Sequence, residues 1–190
     1  MFTGVPLNIT TIEIIDALAS IGLLRIGLSI ESGDPYIRNK VMGKNFTDEK
    51  ANEVISAVRR YPEIFLGTGF VMGMPEDTVE SLETSIRFMK NLDVDEIDLT
   101  IATPFPGTKL FEQCVSENLF FQEIDKSALW CSDNYSWSNL NNFIIKPYQL
   151  AKEQLYHYRD EILALRSCKV QSYRSRMKDV YNIESSYGLQ

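Results

Sequence analysis

The stretch Gly69-Phe70-Val71-Met72-Gly73-Met74-Pro75-Glu76 decides the fold, because it joins the end of a strand to a turn. Residues Leu66 to Met72 favour a β-strand, and Pro75 cannot continue a central strand because it lacks a backbone N–H. Asp77 and Thr78 then offer oxygens that can cap a helix. Apolar residues follow at helical spacing: Val79, Leu82, Ile86 and Met89. The pattern predicts a strand, a tight glycine turn and a helix.

Similar units lie on both sides of this one. A helix is predicted from Thr10 to Gly22, with a buried stripe of Ile14, Ile15, Leu18 and Ile21, and a strand follows from Leu24 to Ile30. A second helix begins after Thr47, and a third strand is predicted from Glu96 to Thr103. Strands separated by helices indicate parallel pairing with right-handed crossovers.

The predicted strands carry aliphatic residues on one face and small or polar residues on the other. Ser29, Glu31 and Asp98 lie on the polar face. A doubly wound sheet is covered by helices on both faces, whereas a curved barrel can line an interior site with polar groups. We therefore predict an α/β fold, a partial (βα) barrel over residues 1–120 with parallel strands.

Residues 121–190 form the second predicted region. Its first part has weak periodicity, and its aromatic residues alternate with Ser and Asn: Trp130, Tyr135, Trp137 and Phe143. A C-terminal helical segment is predicted to begin at Pro147. We interpret the region as an irregular aromatic segment followed by C-terminal helices.

Composition restricts the possible function classes. The 190 residues carry a net charge of -7, which disfavours nucleic-acid binding through a basic surface. No apolar run is long enough to span a membrane, so we expect a cytoplasmic location without membrane contact. The three cysteines, Cys114, Cys131 and Cys168, are widely spaced and fit no metal-binding pattern. We therefore predict no metal ligands and no catalytic residue within this chain.

Three segments, taken in order, resemble the second half of the core of radical S-adenosylmethionine (SAM) enzymes. They are Gly27-Leu28-Ser29-Ile30-Glu31-Ser32-Gly33, the Gly69 to Glu76 stretch, which fits the pattern G-x-[IV]-x-G-x-x-E, and Thr103-Pro104-Phe105-Pro106-Gly107-Thr108. Val41-Met42-Gly43-Lys44 is similar to a fourth segment that carries basic residues toward the SAM carboxylate. The resemblance covers residues 7–114. Within the family, the subgroup that the chain resembles is that of the cobalamin-binding radical SAM proteins, which include the magnesium-protoporphyrin ester cyclase-like Fe-S oxidoreductases.

The resemblance implies which residues contact SAM. Glu31, Ser29 and Ser32 lie in the segment whose polar end contacts the ribose. Gly69 and Gly73 would let adenine approach the backbone beside Val71. Lys44 or Arg38 would pair with the carboxylate of SAM. We expect all eight residues to be cofactor-binding.

The chain departs from the family because the C-x-x-x-C-x-x-C loop that ligates the [4Fe-4S] cluster is absent. We interpret it as a C-terminal fragment, inactive alone, of an enzyme that uses SAM, a [4Fe-4S] cluster and, in the resembling subgroup, cobalamin. No cofactor is expected to stay bound to this chain, and the substrate of the parent would be a small molecule. Two alternatives stay open: a non-enzymatic scaffold or regulatory protein with a degenerate barrel, and an unrelated partial α/β enzyme.

A parallel sheet without its first strands leaves an unpaired edge. Residues Met1 to Leu7 can cover this edge only in part, because Pro6 lacks a donor. The expected partner is therefore the missing N-terminal half of the barrel or a second copy of the chain. We expect self-association of the isolated chain, with the Trp130 to Phe143 segment as the other possible cover.

Overall fold

The structure is a computed structural model that describes residues 4–122 and 138–181, the last three without their side chains. The strands are β1 (Val5–Pro6), β2 (Arg25–Glu31), β3 (Phe65–Met72) and β4 (Glu96–Ile101). The helices are α1 (Ile12–Ser20), α2 (Asp48–Arg59), α3 (Val79–Asn91), α4 (Lys109–Ser116) and α5 (Lys152–Tyr181). A 3₁₀ turn (Leu7–Ile9) follows β1, and a π-helical turn (Ile37–Val41) follows β2.

The four strands form one parallel sheet in the order β1-β2-β3-β4. In the register, Ser29 lies opposite Gly69, and Gly69 lies opposite Asp98. The predicted α/β class, the three adjacent parallel strands and the C-terminal helix are confirmed. The sheet is consistent with part of a (βα) barrel, with helices on its outer face.

The alternation along each strand separates the two faces of the sheet. The outward-facing side chains of β2 and β4 are buried in one apolar core: Ile26, Leu28, Ile30, Ile97, Leu99 and Ile101. Leu66, Phe70 and Met72 of β3 join the same core, packed with apolar residues of α2 and α3. The opposite face, which would line the barrel interior, carries Ser29, Glu31, Gly69, Val71 and Thr100 in chain order. These residues are less buried than the outward-facing ones.

Helix α1 differs from its prediction. Its N-cap is Thr11, whose hydroxyl accepts from the Ile14 N–H, while the Thr10 hydroxyl donates to the Pro6 carbonyl. Ile15 is fully buried, as predicted, but Ile14 is 41% and Ile21 80% exposed, so that part of the predicted stripe is wrong. Sequence alone predicts an apolar arc, and neighbouring elements decide how much of it is covered.

The reason for this exposure is that α1 has a described helical neighbour on one flank only. Asp16, on the flank toward α2, accepts a 2.9 Å hydrogen bond from the Tyr61 hydroxyl and pairs with Arg60. At 100° per residue, Ile14 and Ile21 lie on the flank away from Asp16. On that side of the sheet only the two-residue strand β1 extends beyond β2.

Helix α5 packs against β4 and begins at Lys152, five residues later than predicted. Leu155 and Ile162 are buried in the main core, which joins the helix to the barrel wall. Phe143 is also buried there, whereas Trp130, Tyr135 and Trp137 lie outside the described residues. The division of the chain near residue 120 stays a prediction. No helix within the described ranges is long and apolar enough to cross a membrane.

The amino-terminal end of β4 is held to α5 and α2 by ion pairs. Arg166 of α5 lies 3.0 Å from the Glu96 carboxylate. Asp95, directly before β4, accepts from Arg59 of α2 at 3.0 and 2.9 Å and from the Leu66 N–H at 2.7 Å. Arg176 of α5 reaches the same carboxylate at 2.7 Å. These contacts hold the amino-terminal ends of β3 and β4 to α2 and α5.

Candidate functional site

A cavity of about 370 Å³ lies at the carboxyl ends of β2, β3 and β4. Ligands bind at this end of the strands in parallel α/β folds, and the volume lies within the range of small-molecule sites. The lining residues are Glu31, Met42, Lys44, Val71, Met74, Thr100, Ile101, Ala102, Thr103, Phe105 and Leu110. The cavity therefore has mostly apolar walls with one pair of charged side chains.

Glu31 and Lys44 form that charged pair. Lys44 Nζ lies 2.9 Å from Glu31 Oε1, and both side chains are partly buried. Glu31 has φ of +70°, a left-handed conformation that is costly for a residue other than glycine or asparagine. A register shift between Ser29 and Glu31 accompanies it, which turns the end of β2.

The two predicted adenine-contacting glycines lie in different surroundings. A Cβ built on Gly69 would have no atom within 4 Å, so the backbone of β3 is open on the barrel side at this point. Gly73 has φ of +89°, and a Cβ there would lie 3.3 Å from the Phe143 ring. Gly73 therefore serves the turn after β3, while Gly69 leaves space beside Val71, which lines the cavity.

Gly69 and Gly73 are not among the residues that line the cavity, and three more predicted residues do not line it either. Ser29 lies two residues before Glu31 on β2, where its hydroxyl occupies the space that a side chain on Gly4 would fill. The Ser32 hydroxyl is buried 3.1 Å from the Ser85 hydroxyl. Arg38 is buried with its guanidinium 2.7 Å from Asp48 and stacked on Phe46. The geometry gives Ser32 and Arg38 structural partners behind the cavity, and their contact with a ligand stays a prediction.

Several lining residues were not among the predicted site residues. Thr100 lies opposite Val71 in the register, and the polar face of the alternation on β4 could have indicated it. Met42, Thr103 and Phe105 lie inside segments that carried the family resemblance, but no role was assigned to them. Their contribution depends on how the loops turn over the strand ends.

The turn after β3 is held by Asp77. Its Oδ2 accepts from the N–H groups of Gly73 and Met74 at 2.8 and 3.0 Å. Thr78, not Asp77, caps α3, in a capping box with Ser81. The carboxylate of Asp77 therefore fixes the loop that carries Met74 into the cavity wall.

This buried carboxylate predicts a pH-dependent stability. Burial raises the pKa of Asp77 from 3.8 to about 7, and it outweighs the two N–H groups that favour the ionised form. Because the pKa is raised by folding, the contribution of Asp77 is complete below pH 4 and is lost as pH rises through 7. We expect the free energy of unfolding of the native chain to fall with pH by up to about 1 kcal/mol per pH unit in this window, relative to Asp77→Asn.

The comparison uses denaturant unfolding of both proteins at pH 5, 6, 7 and 8. The asparagine oxygen can accept the same two N–H groups without a charge. Titration of all other groups is shared by the two proteins and cancels. If the free energy of unfolding of the two proteins changed with pH in the same way, folding would not raise the pKa of Asp77.

The described cysteines do not provide a metal site. Cys114 is buried, and burial, followed by the charges of Glu76 and Glu117, raises the pKa of its thiol to about 11. Cys168 is exposed on α5. Within residues 4–122 and 138–181 no group of three His, Cys, Asp or Glu side chains is arranged to hold a metal ion. The described residues therefore do not fit an iron–sulfur cluster, whereas the open backbone and charged pair fit a small polar cofactor.

The family comparison agrees with the position of this cavity. Residues 3–89 match the radical SAM superfamily. The match includes β2, β3 and most of α3, and thus the strand ends that carry Glu31, Gly69 and Val71. Residues 3–89, somewhat less than half of the chain, are thus similar to the radical SAM superfamily.

Curated relatives match about half of the chain. An uncharacterized methyltransferase of Pyrococcus horikoshii is 34% identical over 107 residues, which cover 56% of this chain and 23% of that protein. A probable threonylcarbamoyladenosine tRNA methylthiotransferase of the same organism is 33% identical over 98 residues, covering 50% of this chain and 23% of the relative. A tRNA-2-methylthio-N(6)-dimethylallyladenosine synthase of Herpetosiphon aurantiacus is 31% identical over 85 residues, covering 44% and 19%.

The chain spans about a quarter or less of the length of these relatives. These relatives are named as an uncharacterized methyltransferase, a probable tRNA methylthiotransferase and a tRNA-2-methylthio-N(6)-dimethylallyladenosine synthase. The cobalamin-binding, ester cyclase-like subgroup and the oxidoreductase reaction stay predictions.

Proposed function

We propose that this chain supplies part of the SAM-binding wall of a radical SAM enzyme, and that it is inactive alone. The observation that carries the proposal is that Glu31, Lys44 and Val71 line one cavity at the strand ends, with open backbone at Gly69, two residues before Val71 on β3. SAM would supply the radical chemistry of the family, and the residues of this chain would bind and orient it.

The charged pair suits two separate groups of SAM. A carboxylate such as that of Glu31 accepts hydrogen bonds from hydroxyl groups, which a ribose presents in pairs. The Lys44 ammonium can pair with the carboxylate of the methionine moiety. Without a ligand the two side chains neutralise each other at 2.9 Å, so binding would replace one ion pair by two charge-assisted contacts.

The backbone at Gly69 suits a flat ring. No atom lies within 4 Å of the position that a Cβ would occupy there, and Val71 lines the cavity on the same face of β3. An adenine base could therefore lie against the strand and contact the Val71 side chain. Arg38, buried against Asp48, would support this region from behind, and Lys44 is the proposed partner of the SAM carboxylate.

Lys44 provides the direct test. We expect a half-formed site to bind added SAM only weakly, with a dissociation constant on the order of 1 mM, so that none stays bound after purification. Lys44→Met removes the ammonium while keeping a long apolar stem, and we expect it to weaken SAM binding at least about tenfold. Lys40→Met is the matched control, because Lys40 is exposed and does not line the cavity. Ligand-detected NMR titration measures all three proteins.

The control separates charge at the site from overall charge. Equal weakening by the Lys40 and Lys44 variants would mean a nonspecific electrostatic effect. A stably folded chain that binds no SAM at 10 times the expected dissociation constant, about 10 mM, would instead favour the scaffold alternative.

We further propose that the β1 side of the sheet is a partner surface. Among the described strands none pairs with the outer edge of β1, and β1 itself covers only two residues of β2. The α1 flank with Ile14 and Ile21 is exposed on the same side. In the parent enzyme this surface would contact the remaining part of the barrel, and in the isolated chain it would contact a second copy.

Light scattering over a concentration series tests the second copy. We expect the mean mass to rise above 21.8 kDa with concentration, because edge pairing and apolar burial both favour association. Ile21→Glu should shift this rise to higher concentration, whereas Val115→Glu, at an exposed apolar position on α4, should not. A monomer at every concentration would contradict self-association.

Cytoplasmic location, a small-molecule substrate and the absence of nucleic-acid binding are also part of the proposal. The iron–sulfur cluster would be held outside the described residues of this chain. Cobalamin would be a cofactor of the parent only if the subgroup prediction holds.

A further inference from the structure

We infer that Ser85 of α3 is a positioning residue that holds Glu31 in its left-handed conformation. Among the described residues, Glu31, Asn45 and Asn118 are the ones other than glycine with positive φ. Asparagine tolerates this region because its short amide bonds locally, whereas glutamate does not. The conformation of Glu31 must therefore be imposed by its surroundings.

These surroundings are the hydrogen bonds between Ser85 of α3 and residues 32 to 34 of the loop after β2, which we call the clasp. The Ser85 hydroxyl oxygen accepts from the Gly33 N–H at 3.0 Å and from the Asp34 N–H at 3.3 Å. It also lies 3.1 Å from the Ser32 hydroxyl, whose oxygen accepts from the Asp34 N–H. A single buried side chain on α3 thus holds the three residues that directly follow Glu31.

Close packing makes the clasp rigid. A Cβ on Gly33 would lie 2.6 Å from the Ser85 Cα and 2.6 Å from the Phe88 Cβ, so the loop backbone rests directly on α3. Ser85 and Ser32 are both buried. Because the chain is fixed at residues 32 to 34, the backbone of residue 31 has to turn sharply to join it to β2.

The consequence is the position of the Glu31 carboxylate. The alternation of β2 already places this side chain on the cavity face, and the turn sets where the carboxylate lies at the strand end, 2.9 Å from Lys44. An extended residue 31 would continue the alternation of β2, in which Ile30 faces the core, without the register shift after Ser29. That the clasp positions Glu31 for a ligand rests on the proposed function. Its effect on the backbone conformation of Glu31 does not.

A double-mutant cycle measures this effect without any ligand. Glycine has no penalty for positive φ, so we compare the unfolding equilibrium constants of Glu31→Ala and Glu31→Gly. The comparison is made in the native background, with Ser85→Ala, and with Ser81→Ala. The greater freedom of glycine in the unfolded chain is the same in each background and cancels.

We expect the preference for glycine over alanine to be roughly tenfold smaller with Ser85→Ala, because residue 31 can relax once the clasp is lost. Ser81→Ala removes another buried hydroxyl from α3, the one in the capping box with Thr78, and should leave the preference unchanged. The same preference in the native background and with Ser85→Ala would overturn the inference, even if Ser85→Ala lowers stability.

Ser85→Cys keeps the test decisive if Ser85→Ala does not fold. The thiol fills similar space but accepts hydrogen bonds weakly, so the preference should fall in part. An undiminished preference with cysteine would overturn the inference. The glycine preference at position 31 depends on backbone geometry and on no ligand. If Ser85→Ala reduces this preference as expected but the chain binds no SAM, the result would count against the proposed function and not against the clasp.

Discussion

Asp95→Ala is expected to destabilise the chain by about 4 kcal/mol, the largest effect of any single substitution that we predict. The carboxylate is 1% exposed, accepts hydrogen bonds from Arg59 and from the Leu66 N–H, and forms an ion pair with Arg176. Alanine would leave the guanidinium of Arg59 mostly buried without its bidentate partner and the Leu66 N–H without its acceptor. Both losses cost the full desolvation of the group left behind.

The matched control is Asp93→Ala. Asp93 also pairs with Arg59, at 3.2 Å, but its side chain is 73% exposed. Exposed ion pairs contribute little, so we expect a loss below about 1 kcal/mol. Denaturant unfolding measures both variants, and equal losses would contradict the structural role of the buried network.

Gly33→Ala is expected to cost about 3 kcal/mol, at the upper end of the usual range for overpacking. The new methyl group would lie 2.6 Å from the Ser85 Cα, a backbone atom that cannot move away by changing a rotamer. Either the loop or α3 must shift, and both are fixed by the hydrogen bonds of Ser85.

Gly69→Ala is the control for this substitution. Nothing lies within 4 Å of the new methyl group, and alanine loses less conformational entropy than glycine on folding. We expect the free energy of unfolding to stay the same or rise by less than about 1 kcal/mol. A similar loss for both variants in denaturant unfolding would mean that the space on the barrel side of β3 is filled.

The fold was largely predictable because its signals are local. Alternation along β2, β3 and β4, helix caps such as Thr47 and Thr78, and glycine turns such as Gly73 all act over a few residues. The exposure of Ile21 was not predictable, because it depends on the packing of neighbouring elements and not on the periodicity of α1 itself.

The candidate site was predictable only in part. Glu31 and Val71 line the cavity at the strand ends, and Lys44 joins them from the segment after β2, while their contact with a cofactor stays a prediction. The side-chain partner of Arg38 and the backbone conformation of Glu31 could not be predicted from the sequence. The partner of Arg38 is Asp48, ten residues away, and the left-handed turn at Glu31 depends on Ser85 of a distant helix.

The most direct test of the SAM-binding wall is an amide chemical-shift map of the chain titrated with SAM. We expect saturable shifts, with a dissociation constant on the order of 1 mM, concentrated at Glu31, Lys44, Gly69 and Val71. Asn52 and Asn91, which line a separate surface pocket between α2 and α3, should not shift. Shifts centred on that pocket, or none at any residue in about 10 mM SAM, would contradict SAM binding at the ends of β2 and β3.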